Sequence, residues 1–125
     1  MNFGLRSLVS DSDISANRFE AVKMTGVGFE VTNIAAATDK PIGILLNNPN
    51  AANLSCEVAG PGEVCKARMG GTVNAGDSLG CDADGELVAI VEGTDTTIYV
   101  IATALEDGVN QDVKYVLVQS PHRAA

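Results

Sequence analysis

Asp39-Lys40-Pro41-Ile42-Gly43-Ile44-Leu45-Leu46, followed further along by Gly70-Gly71-Thr72-Val73-Asn74-Ala75-Gly76-Asp77-Ser78-Leu79-Gly80, decides the fold. The apolar run at 42–46 is too short for a helix and right for a buried strand, with Pro41 marking its start. The second stretch sets short apolar pieces between Gly and Asn/Asp turn signals, the punctuation of tightly connected strands. Neither stretch gathers groups able to perform chemistry. Together they predict a β body that works as a surface.

Outward from these stretches the same language continues. Residues 19–24 alternate imperfectly, Gly26 and Gly28 interrupt, and Phe29-Glu30-Val31-Thr32 reads as the return strand. Asn47-Asn48-Pro49-Asn50 is a turn, because Asn tolerates left-handed backbone and Pro stops pairing. Segments 54–59 and 63–69 flank Gly60-Pro61-Gly62 and read as a hairpin. Asp82-Ala83-Asp84-Gly85 is a further turn, and 86–91, 96–104 and 113–118 complete the set. Ala35-Ala36-Ala37 supplies at most one helical turn. The expectation is an all-β fold, a small compact β-barrel or β-sandwich of about eight to ten short strands.

Three divisions of the chain follow: an N-terminal arm over 1–18, the β domain over 19–120, and a flexible tail over 121–125. Residues 1–18 are polar, and their apolar members Phe3, Leu5, Leu8, Val9 and Ile14 hold no clean period. Such a composition suits an extended arm that orders against a partner. The alternative is a short helix over 3–9 packed on its own domain.

Composition narrows the function. A single domain of 125 residues with 46% hydrophobic content builds a core without metals or disulfides. The aromatics are only Phe3, Phe19, Phe29, Tyr99 and Tyr115, so the core must come from Val, Ile, Leu and Ala, and stacking platforms for single strands are scarce. Sixteen acids against eight bases give a net charge of −8, which repels a phosphate backbone and suits docking on a basic protein patch or simple solubility. No basic leader precedes an apolar run, and no stretch approaches the roughly 20 apolar residues that span a bilayer. We therefore expect no direct contact with nucleic acid or membrane and synthesis in the cytoplasm. Cys56, Cys65 and Cys81 lack zinc spacing and read as small buried hydrophobes, with a Cys56–Cys65 bridge across the 54–69 hairpin left open.

Several motifs look chemical. Gly76-Asp77-Ser78-Leu79 spells the GDSL block of a hydrolase family, but the one candidate base is His122, and Gln119 stands where those hydrolases carry Asp. The serine also lies among short β segments rather than at a strand-to-helix turn. Asp82-Ala83-Asp84-Gly85-Glu86 invites calcium, yet an EF-hand would require further spaced oxygens and flanking helices, and Asp-Gly is an ordinary hairpin turn. Lys40 sits where a lipoyl-type carrier lysine would, but Pro41 follows it and the segment order is wrong. The expectation is no catalytic residue, no cofactor and no metal.

One ordered series remains: Ile14-Ser15-Ala16-Asn17-Arg18-Phe19, Val22-Lys23, Asp39-Lys40-Pro41-Ile42-Gly43-Ile44-Leu45, Asn48-Pro49, Glu57-Val58-Ala59, Gly70-Gly71-Thr72-Val73, Ala75-Gly76-Asp77-Ser78-Leu79 and Asp82-Ala83-Asp84-Gly85. In order and spacing it resembles bacteriophage capsid decoration (cement) proteins, over about residues 14–105. The longer polar N-terminus, the three cysteines and the tail at 120–125 depart from that pattern. The resemblance implies a structural virion protein, a homotrimer bound to the major capsid protein on the outer surface of the assembled head. A head fibre base or a tail component would be a related alternative. It carries over no catalytic residue. Phe3, Leu5, Leu8 and Ile14 of the arm, with Phe19 at its junction with the body, are then the expected docking residues.

Overall fold

Residues 8–124, the part of the chain that the computed structural model describes, contain eleven strands and one 3-10 turn (Ser15–Asn17). The strands are β1 (Leu8–Ser10), β2 (Ala21–Met24), β3 (Glu30–Asn33), β4 (Gly43–Leu45), β5 (Ser55–Cys56), β6 (Val58–Ala59), β7 (Val64–Arg68), β8 (Ser78–Cys81), β9 (Leu87–Ala89), β10 (Tyr99–Ala104) and β11 (Val113–Arg123). They form a six-stranded sheet ordered β5-β1-β3-β2-β4-β6 and a five-stranded sheet ordered β7-β11-β10-β8-β9. The expected all-β class is the observed one, with features of both barrel and sandwich. No helix of the described residues is long and apolar enough to cross a membrane.

The six-stranded sheet nearly closes on itself. Its two edges, β5 and β6, are consecutive in the chain and separated only by Glu57. Asn47 pins this closing segment: its Oδ1 accepts from the Glu57 N–H at 3.0 Å and its Nδ2 donates to the Ser55 carbonyl at 2.9 Å. On the other flank the buried Ser10 hydroxyl donates to the Ala51 carbonyl at 2.6 Å. The five-stranded sheet is drawn round in the same manner, by a parallel bridge from Met69 to Leu87.

Alternation along a strand sends neighbouring side chains to opposite faces. Val22, Leu45 and Val58 therefore fill the barrel with Leu8, Ile14, Val31 and Cys56. Ala21, Ile44 and Ala59 from the same strands face the second sheet, against Leu79, Leu87, Ile101, Val116 and Val118. Strands buried on both faces read as continuous apolar runs, which explains the 42–46 signature. Gly43 is required where β4 pairs closely with β6, since a Cβ there would overlap the Ala59 carbonyl oxygen and meet Val58 Cγ1 at 2.6 Å.

Three sequence expectations are corrected. The extended arm is not free over its described part: β1 lies inside the sheet, parallel to β3 and antiparallel to β5, and Leu8 and Ile14 are core residues at 5% and 1% exposure. Their apolar side chains complete a barrel that lacks another source for that volume. Phe3 and Leu5 lie outside the described residues. Gly60-Pro61-Gly62 does not close a hairpin but carries the chain between sheets, because β6 pairs with β4 and β7 with β11. The turn signal is local, whereas pairing follows the burial of Val58 and Ala59. Finally, the expected tail at 121–125 is strand as far as Arg123, with Val100 opposite His122, and Ala124 is buried. The β10–β11 register shifts between Val100 and Ala102, so Pro121, which has no N–H, falls in the irregular stretch where a ladder bond is not needed.

Leu8→Ala and Ile14→Ala are each expected to cost about 2–4 kcal/mol, as for other large-to-small core changes. Deleting residues 1–13 should remove the cooperative transition altogether. Urea unfolding followed by far-UV circular dichroism checks both outcomes.

Candidate functional site

Residues 18–21 form the seam between the two sheets. The Phe19 N–H donates to the Leu45 carbonyl at 2.6 Å, and its own carbonyl accepts from the Arg68 N–H at 2.8 Å. Ala21 donates to the Gly85 carbonyl at 2.8 Å. Phe19 reaches these partners with a left-handed backbone (φ 69°), a conformation that costs a non-glycine residue free energy and persists because both sheets fix it. Arg18 lies over its ring at 4.7 Å. Of the five residues expected to dock, Phe19 is thus a half-buried junction, and the two other described ones are core.

Within the seam sits Glu20, one of two buried polar residues among the described residues. Burial pushes its carboxyl above the ordinary glutamate value; the Asn17 amide, donating at 2.9 Å, opposes that, and the Glu86 carboxylate adds to it. Arg68 Nε stands 3.9 Å away. Asp39 is the opposite case. Its Oδ2 accepts from Lys23 Nζ at 2.8 Å and from the Ala35 and Ala36 N–H groups at 3.0 Å, which holds it below the usual aspartate value. This carboxylate ties loop 34–41 to β2.

The residues singled out for chemistry are placed as follows. Ser78 and His122 share a surface, but Glu92 stands between them: Ser78 Oγ donates to Glu92 Oε2 at 3.2 Å, and His122 Nε2 is 3.5 Å from Glu92 Oε1. A serine nucleophile needs its base in hydrogen-bond reach. Among the described residues Ser78 contacts the carboxylate and not the imidazole. Asp82 Oδ1 accepts from the Asp84 and Glu86 N–H groups at 2.9 and 3.0 Å, an Asx-type turn that closes the β8–β9 hairpin. The Asp82, Asp84 and Glu86 carboxylates come within 4.8 Å of one another there. All three cysteines are free and buried, with Cys56 in the barrel core and Cys65 in the core between sheets, so no bridge joins them. Burial pushes the Cys65 and Cys81 thiols up to about 11.

Two surface features lie outside the motifs read from sequence. A cleft of about 490 Å³ is lined by Lys23, Met24, Lys40, Pro41, Ile42 and Pro121, where the start of β4 and the end of β11 approach each other. Next to it, the β2–β3 hairpin tip exposes Met24, Val27 and Phe29 at 39%, 60% and 51%. The tip is ordered: the Thr25 hydroxyl donates to Glu30 Oε1 at 2.8 Å and accepts from the Val27 N–H at 3.2 Å. Its sequence signal was present, in apolar residues set among Gly26 and Gly28 where a turn is normally polar. Reading Phe29 as the first residue of the return strand hid it. On the outer face of the second sheet, Val64, Leu105 and Tyr115 are also exposed, with Lys66 over the Tyr115 ring at 5.6 Å.

No protein family and no curated protein matches the chain in sequence. In structure it is similar to the N base of the head fibre protein gp8.5 of bacteriophage phi29. The TM-score is 0.68 at 16% identity, over 92% of this chain and 93% of that one. At that identity the likeness establishes a shared fold, and it spans both sheets.

Opposite pH behaviour is expected at the two perturbed acids. The low value of Asp39 contributes stability above the ordinary aspartate value of 3.8 that is lost as pH falls through its folded value. Asp39→Ala should therefore cost about 1–2 kcal/mol at neutral pH and progressively less in acid. The raised value of Glu20 works in reverse: its stability is fully present below the ordinary value of 4.5 and is lost as pH rises through the folded value. Glu20→Gln should thus melt higher than the parent at neutral pH, with the difference closing in acid. Thermal melts across the acid to neutral range read both. Separately, the native protein should resist an aromatic disulfide thiol reagent at mildly alkaline pH and release three equivalents only on unfolding.

Proposed function

We propose that this chain is a structural protein of a bacteriophage head, bound to the outer surface of the assembled shell and stabilising it without covalent bonds. The observation that carries the reading is the fold likeness to a head fibre base over more than nine-tenths of both chains. The ordered series of segments that resembles capsid decoration proteins supports it from the sequence side.

In this reading the chain is a homotrimer whose partner is the major capsid protein, and its work is done by surface rather than by catalysis. Three contacts per trimer add through effective concentration, so each interface is modest by itself. Because such a ligand binds the assembled shell and not its dissociated subunits, it shifts the equilibrium toward assembly. The rigid two-core body supports this role, and the net charge of −8 keeps free copies soluble and apart before they bind. Leu8 and Ile14 are in the core, so among the described residues the contact would be made by exposed residues of the body.

A second reading, the base of a head fibre, is favoured by the identity of the structural neighbour itself. The two readings differ in what the shell gains. A cement protein raises the temperature at which heads break open, whereas a fibre base occupies its sites and leaves that temperature unchanged.

Co-sedimentation with heads lacking the protein, alongside the mass of the free protein from light scattering, tests both. Saturation at a fixed ratio to shell subunits by a trimer, with a raised head-disruption temperature, is the expected result. Saturation without that rise selects the fibre base. No binding to any head would overturn the proposal. Ser78→Ala should leave binding unchanged.

A further inference from the structure

We infer that the β2–β3 tip and the adjoining cleft are the docking face of this chain, and that the cleft takes an extended partner segment in which a carboxylate sits beside an apolar side chain. The identity of the partner as a head protein rests on the function proposed above; the chemistry of the cleft does not.

The floor and walls of the cleft are apolar: Pro41 is buried at its base, with Ile42, Met24 and Pro121 around it. Such a floor favours an aliphatic side chain over a hydrated ion or a phosphate, which would have to shed water against apolar groups. Its rim is cationic. Lys23 is already neutralised by Asp39 at 2.8 Å, which leaves Lys40, exposed and without an ion pair among the described residues. In a chain with twice as many acids as bases, this cleft therefore presents a positive rim on a negative molecule. An acidic segment is drawn to that rim and repelled elsewhere, and a basic one is repelled at the point of contact. Residues 1–7 of a second copy, which include Phe3 and Leu5 but also Arg6, would bring like charge to Lys40.

The tip extends the same surface, because Met24 belongs to both. Val27 and Phe29 project beyond it on a turn that the Thr25 hydroxyl holds in shape. Phe29 takes a left-handed backbone (φ 60°), unfavourable for a bulky residue, and half of its surface faces solvent. Apolar residues held this way at the end of an ordered hairpin form the flank of an interface, with the cleft supplying its pocket. The loop that carries Lys40 and Pro41 is fixed by the three bonds to Asp39, so the pocket is preorganised and binding does not have to order it.

The test uses the full chain, isotopically labelled, and the peptide acetyl-Asp-Leu-Asp-Leu-amide, with its Lys-for-Asp counterpart as control. Saturable amide shifts confined to Met24, Lys40 and Ile42 and their neighbours, weakened by salt and about tenfold by Lys40→Glu, are expected for the acidic peptide alone. Shifts elsewhere, or equal binding of the basic peptide, would overturn the cleft. Heads supply the second arm, with Lys40→Glu and Val27→Asp; both sites are exposed, and unchanged melting confirms the fold. Either variant saturating heads as the parent does would overturn the docking face while leaving the head-surface role intact. Peptide binding as described, with no binding of the parent to heads, would uphold the cleft and remove the head-surface role.

Discussion

At Ala21 and Val22 of β2, along β4, and at Val58 and Ala59 of β6 there is no face to give to solvent, and the rest of the molecule is arranged around that constraint. These stretches send alternate side chains into two different cores, so each of these positions must be small or apolar and each buried backbone donor must be met within the ladders or at the seam. Gly43 is dictated by the same crowding, and so is the choice of alanine at 21 and 59, where the two sheets approach. A substitution in these strands disturbs both cores at once. The seam at Phe19 and Glu20 is where the strain and the desolvation of this arrangement accumulate, in a left-handed phenylalanine and a carboxylate held above its ordinary value.

Much of the fold was legible in the sequence, for reasons that vary by segment. The run at 42–46 and the Phe29 to Thr32 return strand show because their patterns are local. The turn at Asp82 to Gly85 shows because Asp and Gly have specific backbone uses there. Strand β1 was hidden: three residues within a polar stretch carry no period, and their partners β3 and β5 lie about 20 and 45 residues away. The crossing at Gly60-Pro61-Gly62 was hidden for the converse reason. A tight turn is chemically the same whether it joins two strands of one sheet or passes between sheets. Pro121 disguised the end of β11, since a proline normally argues against a strand and here occupies the one stretch of irregular register.

The candidate site was legible only in part. Titratable motifs draw attention to Ser78, His122 and the acidic turn, and in the structure these are satisfied by neighbouring side chains and backbone. Lys40 stood out for a chemistry that Pro41 argues against, and its observed place is the rim of a cleft. Met24, Val27 and Phe29 carry no motif at all. Their significance is positional, in that apolar side chains at a glycine-bordered tip are exposed however the body packs. Recognition surfaces of this kind are set by which loops the fold brings together, and Pro121 joins Pro41 only through the pairing of distant strands.

The closure of the six-stranded sheet through Glu57 has a further meaning wherever copies of the molecule are crowded together. Open sheet edges are templates for strand addition, and crowding makes that hazard worse. Here two would-be edges are one continuous stretch of chain, and the second sheet is drawn round by the Met69–Leu87 bridge. Little backbone is left to solicit a foreign strand. The described body can be packed at high density while offering few strand edges, so recognition at its surface falls to side chains. Its binding preferences are therefore free to change by exchange of surface residues, while the twin cores beneath stay as they are.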